Sequence, residues 1–140
     1  MKPFGVKIAD NCFYLLSNLN LFALKTALII NDDKDTLDIL GYIINDMGHN
    51  CINSQSLLPI SEIRELAADI ILFDHYVNLQ TPGNLCFQIK CDPLLNRVPV
   101  ILLSAHLNIA NIAKNSLADA YLAKPFDIDD LTDLVNNLLQ

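Results

Sequence analysis

Residues 70–74 read IILFD, a short apolar run that ends in a carboxylate. Residues 27–30 (ALII), 98–103 (VPVILL) and 120–123 (AYLA) repeat the pattern, and a polar residue follows each of them. Continuous apolar runs of this length are typical of strands covered on both faces, as in parallel sheets. Residues 51–53 form a weaker run that predicts an edge strand. The chain is therefore predicted to contain five short strands.

Helical spacing separates the strands. Leu37, Leu40, Ile44 and Met47 recur at three- and four-residue steps, and Gly48 then provides a helix stop. The alternation of strand and helix predicts one α/β domain over residues 26–140, a doubly wound five-stranded parallel sheet with helices on both faces. The same spacing recurs behind Pro59 at Ile60, Ile63 and Leu66, at Leu85 and Ile89, at Ile109, Ile112 and Ala113, and behind Asp127 as a cap at Leu131, Leu134, Val135 and Leu138.

Composition narrows the function. At 140 residues the chain fits one domain, and its net charge of −7 argues against direct binding of nucleic acid. Its four cysteines have no zinc-like spacing, which indicates ordinary thiols in a reducing cytoplasm. Residues 1–25 are predicted to be an N-terminal extension of unknown role, an added helix or an arm. Its apolar stretch, 11–24, contains polar residues and is too short to span a bilayer, so no membrane association is expected.

Chemically useful side chains follow four of the predicted strands. Asn31-Asp32-Asp33 follows the first, Asp74 the third, Ser104 the fourth and Lys124 the fifth. In open parallel sheets, ligands bind beyond the carboxyl ends of the strands, where the strand order reverses. Each residue alone could be a turn or cap residue. Together they can bind a hard divalent cation, present a carboxylate nucleophile and neutralise a phosphoryl group.

Three stretches carry a resemblance to a known family. They are ALIINDDKDTLDIL from residue 27, LLSAH from residue 102, and ADAYLAKPFDIDDL from residue 118. The chain resembles the receiver domains of two-component response regulators from about residue 25 to residue 140. The resemblance implies a flavodoxin-like strand order 2-1-3-4-5. It also implies a stand-alone receiver that signals through other proteins.

The resemblance assigns a phosphorylation site and a metal site. It implies that Asp74 accepts a phosphoryl group, and that Asp32 and Asp74 bind Mg²⁺. Asn31 falls where the family usually has a second acid, and it is expected to be a metal ligand through its side-chain oxygen. The backbone carbonyl of Tyr76 falls where the family has a third protein ligand. An asparagine at this position loses one negative charge, so metal affinity or the rate of phosphoryl transfer is expected to fall.

The resemblance also implies a switch and its partners. Ser104 corresponds to the switch hydroxyl, Lys124 to the lysine that pairs with the phosphoryl group, and Tyr121 to the aromatic residue that moves with Ser104. In the family Pro125 follows a cis peptide. The expected phosphoryl donor is a histidine kinase, and a relay role in which the group passes on to a histidine phosphotransfer protein is equally compatible. The expected output is a downstream protein that binds the face made by helix 4, strand 5 and helix 5. Such a protein assists its own phosphorylation and is not a conventional enzyme.

Several alternatives remain open. Asp32 and Asp33 could form the acid pair in place of Asn31 and Asp32, although the spacing from Asn31 to Gly48 favours the latter. The loop after Asp74 lacks the family's usual Met-Pro, which leaves its shape and partner contacts open. Other function classes are a haloacid-dehalogenase-like phosphatase, a flavin-binding domain, and a receiver-like interaction module that works without phosphorylation. Asn31 favours the interaction module, whereas Asp74, Ser104 and Lys124 argue against it.

Overall fold

The computed structural model describes residues 24–74 and 83–140. Apart from residues 24 and 25, the predicted N-terminal extension lies outside this range, and so does Tyr76. Strands and helices alternate through the described residues. They are β1 (Thr26–Ile30), α1 (Lys34–Asp46), β2 (Asn50–Ser54), α2 (Ile60–Leu66), β3 (Ile70–Asp74), α3 (Gly83–Cys91), β4 (Val100–Ser104), α4 (Ile109–Asn115), β5 (Ala120–Ala123) and α5 (Ile128–Leu138). In the described ranges, every helix is too short or too polar to cross a bilayer.

The five strands form one parallel sheet in the order β2-β1-β3-β4-β5. This confirms the predicted fold class and strand order, and it confirms residues 51–53 as part of an edge strand. β1 lies between β2 and β3, so the chain runs to one side of β1 first and to the other side afterwards. The strand order therefore reverses at β1 and β3, which is where a parallel α/β sheet opens a binding crevice.

Two apolar layers cover the sheet, because successive side chains of a strand point to opposite faces. On one face Ile70 and Leu72 of β3 pack with residues of α1 and α5. On the other face Ile71 and Phe73 pack with residues of α2, α3 and α4. The described structure is thus a helix–sheet–helix sandwich whose central strands are buried on both sides.

Two strand predictions need correction. The fourth run was expected to start at Val98, but β4 starts at Val100. Val98 instead donates its backbone N–H to Leu95 in a turn, and Pro99 has no N–H to contribute to a ladder. The prediction that every run is covered on both faces is wrong for β5, where Tyr121 and Ala123 are exposed. β5 is the last strand of the sheet, so its edge and outer positions meet solvent.

The predicted helix ends are confirmed with one difference. Gly48, one residue past the C-cap of α1, has a φ of +90°, a left-handed conformation that glycine adopts without steric cost. Asp127 is the N-cap residue of α5 by position, but its side chain makes no capping hydrogen bond. Its stabilising contribution is therefore the interaction of a negative charge with the helix dipole.

His49 is a half-buried histidine that joins the start of β1 to the end of the α1–β2 turn. Its Nδ1 accepts a hydrogen bond from the backbone N–H of Lys25 at 3.2 Å. Burial, together with the nearby positive charge of Lys25, lowers the pKa of His49 below its ordinary value of 6.5, and Asp69 opposes this shift in part. A protonated Nδ1 could not accept the Lys25 bond, so the folded protein holds the neutral imidazole.

We therefore expect stability to fall when the pH drops through the ordinary histidine range. The unfolded chain takes up a proton at His49 at a higher pH than the folded chain does, so acidification from pH 7.5 to 5.5 favours unfolding. Urea unfolding followed by circular dichroism at both pH values should show this loss. His49→Gln should remove part of the pH dependence, because glutamine keeps a hydrogen-bond acceptor and does not titrate in this range. Equal pH dependence in wild type and His49→Gln would contradict the assignment.

Candidate functional site

The site lies where β1 and β3 end side by side. In the parallel register Ile30 pairs with Phe73, so the next residues along the two strands, Asn31 and Asp74, are neighbours. The Asn31 side chain is buried at 1% exposure, and the Asp74 side chain is 18% exposed. Asp74 is thus held by the sheet but remains reachable from solvent. The predicted convergence of strand-end residues holds for this pair.

Asn31 uses both ends of its amide. Its Nδ2 donates to Oδ2 of Asp74 at 3.0 Å, and its Oδ1 accepts from the backbone N–H of Asp33 at 2.9 Å. Rotating the amide by half a turn would set its oxygen against a carboxylate oxygen and its NH₂ group against an N–H. The observed orientation is therefore the one that the neighbours require. Asn31 links Asp74 to the loop that starts α1.

Lys124 binds the same oxygen of Asp74 from the other side. Its Nζ donates to Oδ2 at 3.0 Å, and its side chain is 30% exposed. The backbone N–H of Lys124 donates to the carbonyl of Ser104 at 2.8 Å, which ties the end of β5 to the end of β4. The Lys124–Pro125 peptide is cis. One carboxylate oxygen thus receives a cationic donor and a neutral donor.

The two acids of the β1–α1 loop differ in their environment. Asp33 is the N-cap of α1, and its Oδ2 accepts from the N–H of Thr36 at 3.1 Å and from the Thr36 hydroxyl at 2.5 Å. These bonds stabilise the ionised form and lower the pKa of Asp33. Asp32 has an exposed side chain, and its carbonyl accepts from Nε2 of Gln55 at 3.3 Å. Asp33 thus stabilises the start of α1, and the choice of Asn31 and Asp32 over Asp32 and Asp33 as the acid pair stays a prediction.

Ser104 ends β4 next to the site, and its side chain is 4% exposed. Its Oγ accepts a hydrogen bond from the backbone N–H of His106 at 2.9 Å, so the loop after β4 holds the hydroxyl. Tyr121, on the neighbouring strand β5, is 43% exposed. The structure therefore places Asn31 and Lys124 each in direct contact with Asp74. Ser104 lies on the neighbouring strand, and its hydroxyl contacts the loop after β4.

Sequence reasoning missed two features. It treated Asn31 as an oxygen ligand, whereas the structure turns its nitrogen toward Asp74. It also did not anticipate that the backbone N–H of His106 donates to the Ser104 hydroxyl. An asparagine directly after a buried strand was the available signal for the first feature. The second depends on a main-chain group, which every residue except proline carries, so the sequence held no signal for it.

Comparison with known proteins adds the family. The model of the response regulator receiver domain matches residues 27–136, most of the chain. The chain belongs to the response regulator receiver family. As a receiver domain it has a role in two-component signalling, in which receivers interact with kinases or downstream effectors. The predicted family is thereby confirmed.

One curated relative of this receiver is the "Probable transcriptional regulator ycf29" of Pyropia yezoensis. It is 29% identical over 122 residues, which cover 82% of this chain and 53% of the relative. The receiver thus spans about half the length of that relative.

Solved structures agree with the fold. The receiver domain protein from Methanospirillum hungatei JF-1 has a TM-score of 0.74 at 24% identity, over 83% of this chain and 94% of that one. The chemotaxis response regulator CheY4 of Vibrio cholerae also has a TM-score of 0.74, at 14% identity, over 82% of this chain and 98% of that one. At these identities the likeness concerns the fold alone.

Proposed function

We propose that this receiver takes a phosphoryl group onto Asp74 from the phosphohistidine of a histidine kinase or a histidine phosphotransfer protein. The observation that supports this most directly is the contact between Lys124 Nζ and Asp74 Oδ2 at 3.0 Å. It sets a fixed positive charge beside a partly exposed carboxylate at the strand-order reversal. The acyl phosphate formed on Asp74 carries roughly two negative charges at neutral pH, and Lys124 is positioned to offset part of them.

The chemical step needs no co-reactant beyond the phosphohistidine. A carboxylate oxygen of Asp74 attacks phosphorus, so a P–O bond forms while the P–N bond breaks. The histidine nitrogen leaves with the electron pair of that bond. Asn31 and Lys124 both donate to Oδ2. We assign Oδ1 as the attacking oxygen, because an oxygen that accepts two hydrogen bonds is the weaker nucleophile.

A divalent cation, proposed to be Mg²⁺, fits the donor chemistry in part. The carboxylates of Asp32 and Asp74 are hard oxygen donors of the kind that Mg²⁺ prefers. Among the described residues, no three acidic, cysteine or histidine side chains are grouped so that they could hold a metal ion by themselves. When bound, the cation would neutralise charge on the phosphoryl oxygens. The assignment of Asn31 and of the Tyr76 carbonyl as further ligands stays a prediction.

The signal is proposed to pass from Asp74 through Ser104 to β5. In the present arrangement the Ser104 hydroxyl is bonded to the loop after β4. The hydroxyl accepts in that contact, which leaves its own proton available, and a phosphoryl oxygen is a strong, charged acceptor, so Ser104 would turn toward that oxygen and donate to it. Tyr121 then follows the loop, which changes the face made by α4, β5 and α5. Such a two-state response to a local charge is the usual form of a phosphorylation switch.

The proposed output is a cytoplasmic protein that binds the face made by α4, β5 and α5. The domain itself is proposed not to be a conventional enzyme. The name of the Pyropia yezoensis relative includes transcriptional regulation, and this receiver spans 53% of its length. With a net charge of −7, this chain is a poor ligand for nucleic acid. We therefore propose that this receiver transmits its signal by binding other proteins and does not bind DNA directly.

The test is chemical phosphorylation. The protein is incubated with Mg²⁺ and acetyl phosphate, and intact mass is recorded for wild type and for Asp74→Asn. We expect one added phosphoryl group on wild type and none on the variant, which keeps the shape of the side chain and loses the nucleophile. Circular dichroism of both proteins checks that they are folded. Labelling of Asp74→Asn to the wild-type level would refute Asp74 as the acceptor.

The second candidate function is an interaction module that works without phosphorylation. It is favoured by the Asn31–Asp74 hydrogen bond, in which an uncharged side chain stabilises the Asp74 carboxylate without a metal ion. This function predicts that wild type remains unmodified by acetyl phosphate and by a panel of histidine kinases. It also predicts that Asp74→Asn binds the downstream partner as well as wild type does.

A further inference from the structure

The contacts of Asn31 bear on how the Asp74 pocket binds metal. Its amide nitrogen, with its protons, faces Oδ2 of Asp74, and its oxygen faces the N–H of Asp33. A cation that bound beside Oδ2 would meet the positive end of the amide dipole. For Asn31 to offer its oxygen to such a cation, the amide would have to turn over and break both hydrogen bonds.

The start of α1 resists that rotation. Asp33, whose N–H holds the Asn31 oxygen, also caps α1 through its two bonds to Thr36. The Asn31 side chain is 1% exposed, so water could not readily replace a bond lost at either end of the amide. The amide is therefore held from both sides by groups that are themselves fixed.

The same amide is a favourable neighbour when no cation is bound. Asp74 is a mostly buried carboxylate, and Asn31 gives it a hydrogen bond without adding charge. An aspartate at position 31 would place a second buried carboxylate beside the first, with Lys124 as the cation in direct contact with Asp74. Two adjacent carboxylates repel each other unless a cation lies between them.

We propose that Asn31 is an amide clamp on Asp74, which stabilises the cation-free pocket and lowers the affinity of that pocket for Mg²⁺. The inference concerns the site of the proposed function, but it rests on the contacts of Asn31 and does not require phosphoryl transfer. The clamp lowers the affinity for metal, and it also keeps the pocket formed when no metal is bound. The domain would thus keep a folded Asp74 site at low Mg²⁺ concentration.

Thermal unfolding with and without metal tests the clamp. In EDTA, Asn31→Asp should unfold at a temperature lower than wild type by about 5 °C or more, since it loses a buried hydrogen bond and gains a repulsion. In 10–20 mM Mg²⁺ this difference should shrink, because the new carboxylate can share a cation with Asp74. Wild type should respond to Mg²⁺ much less. By titration calorimetry, Asn31→Asp should bind Mg²⁺ at least about tenfold more tightly than wild type does.

Two further variants separate the clamp from other effects. Asn45→Asp makes the same chemical change at an exposed position of α1, and it should behave like wild type in both measurements. Asn31→Ala removes the clamp without adding charge, so it should lose stability in EDTA and bind Mg²⁺ more tightly than wild type, though less tightly than Asn31→Asp. An affinity of Asn31→Ala no higher than that of wild type would show that the amide does not weaken metal binding.

Equal Mg²⁺ affinity in wild type and Asn31→Asp, or equal stability of the two in EDTA, would overturn the proposal. The result is independent of the proposed function. If Asp74 never accepted a phosphoryl group, the two stability curves would still differ as described.

Discussion

Lys124→Ala is expected to slow phosphoryl uptake on Asp74 by roughly 100- to 1000-fold, the usual cost of removing one fixed donor from a site where charge develops. Lys124 Nζ lies 3.0 Å from Asp74 Oδ2, so its charge is already in place before the phosphoryl group arrives. No reorganisation is needed during the reaction, which makes the contribution of such a donor large. The measurement is the initial rate of phosphorylation by acetyl phosphate in Mg²⁺, followed by intact mass.

The matched control is Lys114→Ala. It removes the same charge from an exposed position of α4 and should phosphorylate at close to the wild-type rate. Early time points are required, because a change in the hydrolysis of the acyl phosphate would alter the final level without altering the initial rate. A Lys124→Ala rate within a few-fold of wild type would show that Lys124 is a structural partner of Asp74 and does not assist transfer.

Phe73→Ala is expected to destabilise the fold by about 3–5 kcal/mol. Phe73 directly precedes Asp74 in β3, is fully buried, and packs in the layer formed with α2, α3 and α4. Truncation removes a large apolar side chain and leaves a cavity in the central strand of the sheet. Domains of this size are stable by about 5–15 kcal/mol, so the variant should be marginally folded.

Urea unfolding followed by circular dichroism measures this effect, since the chain has no tryptophan to serve as a fluorescence probe. The control Phe87→Ala removes the same ring from α3, where it is 48% exposed, and should cost about 1 kcal/mol or less. A loss at position 73 no larger than that at position 87 would contradict the description of Phe73 as a central core residue.

The fold could be predicted from the sequence because its signal is local and repeated. The runs at 27–30 and 70–73 are apolar at every position, and in the structure both faces of these strands are buried. Strand boundaries and strand burial were harder to predict where they depend on residues outside the strand itself. The start of β4 at Val100 depends on a turn bond from Val98 to Leu95 and on the missing N–H of Pro99. The exposed face of β5 depends on its place as the last strand of the sheet.

By itself the sequence determined the fold class and the residues that end its strands. Asp74, Ser104 and Lys124 are the first polar residues after apolar runs, so they could be identified as strand-end residues without coordinates. Tertiary structure alone decided how these residues pair. Asn31 and Asp74 are 43 residues apart in the chain, and Lys124 and Asp74 are 50 apart. These contacts depend on the order and register of the strands, which bring the three side chains together. The orientation of the Asn31 amide follows from that register, because a carboxylate on one side and a backbone N–H on the other leave the amide one favourable arrangement.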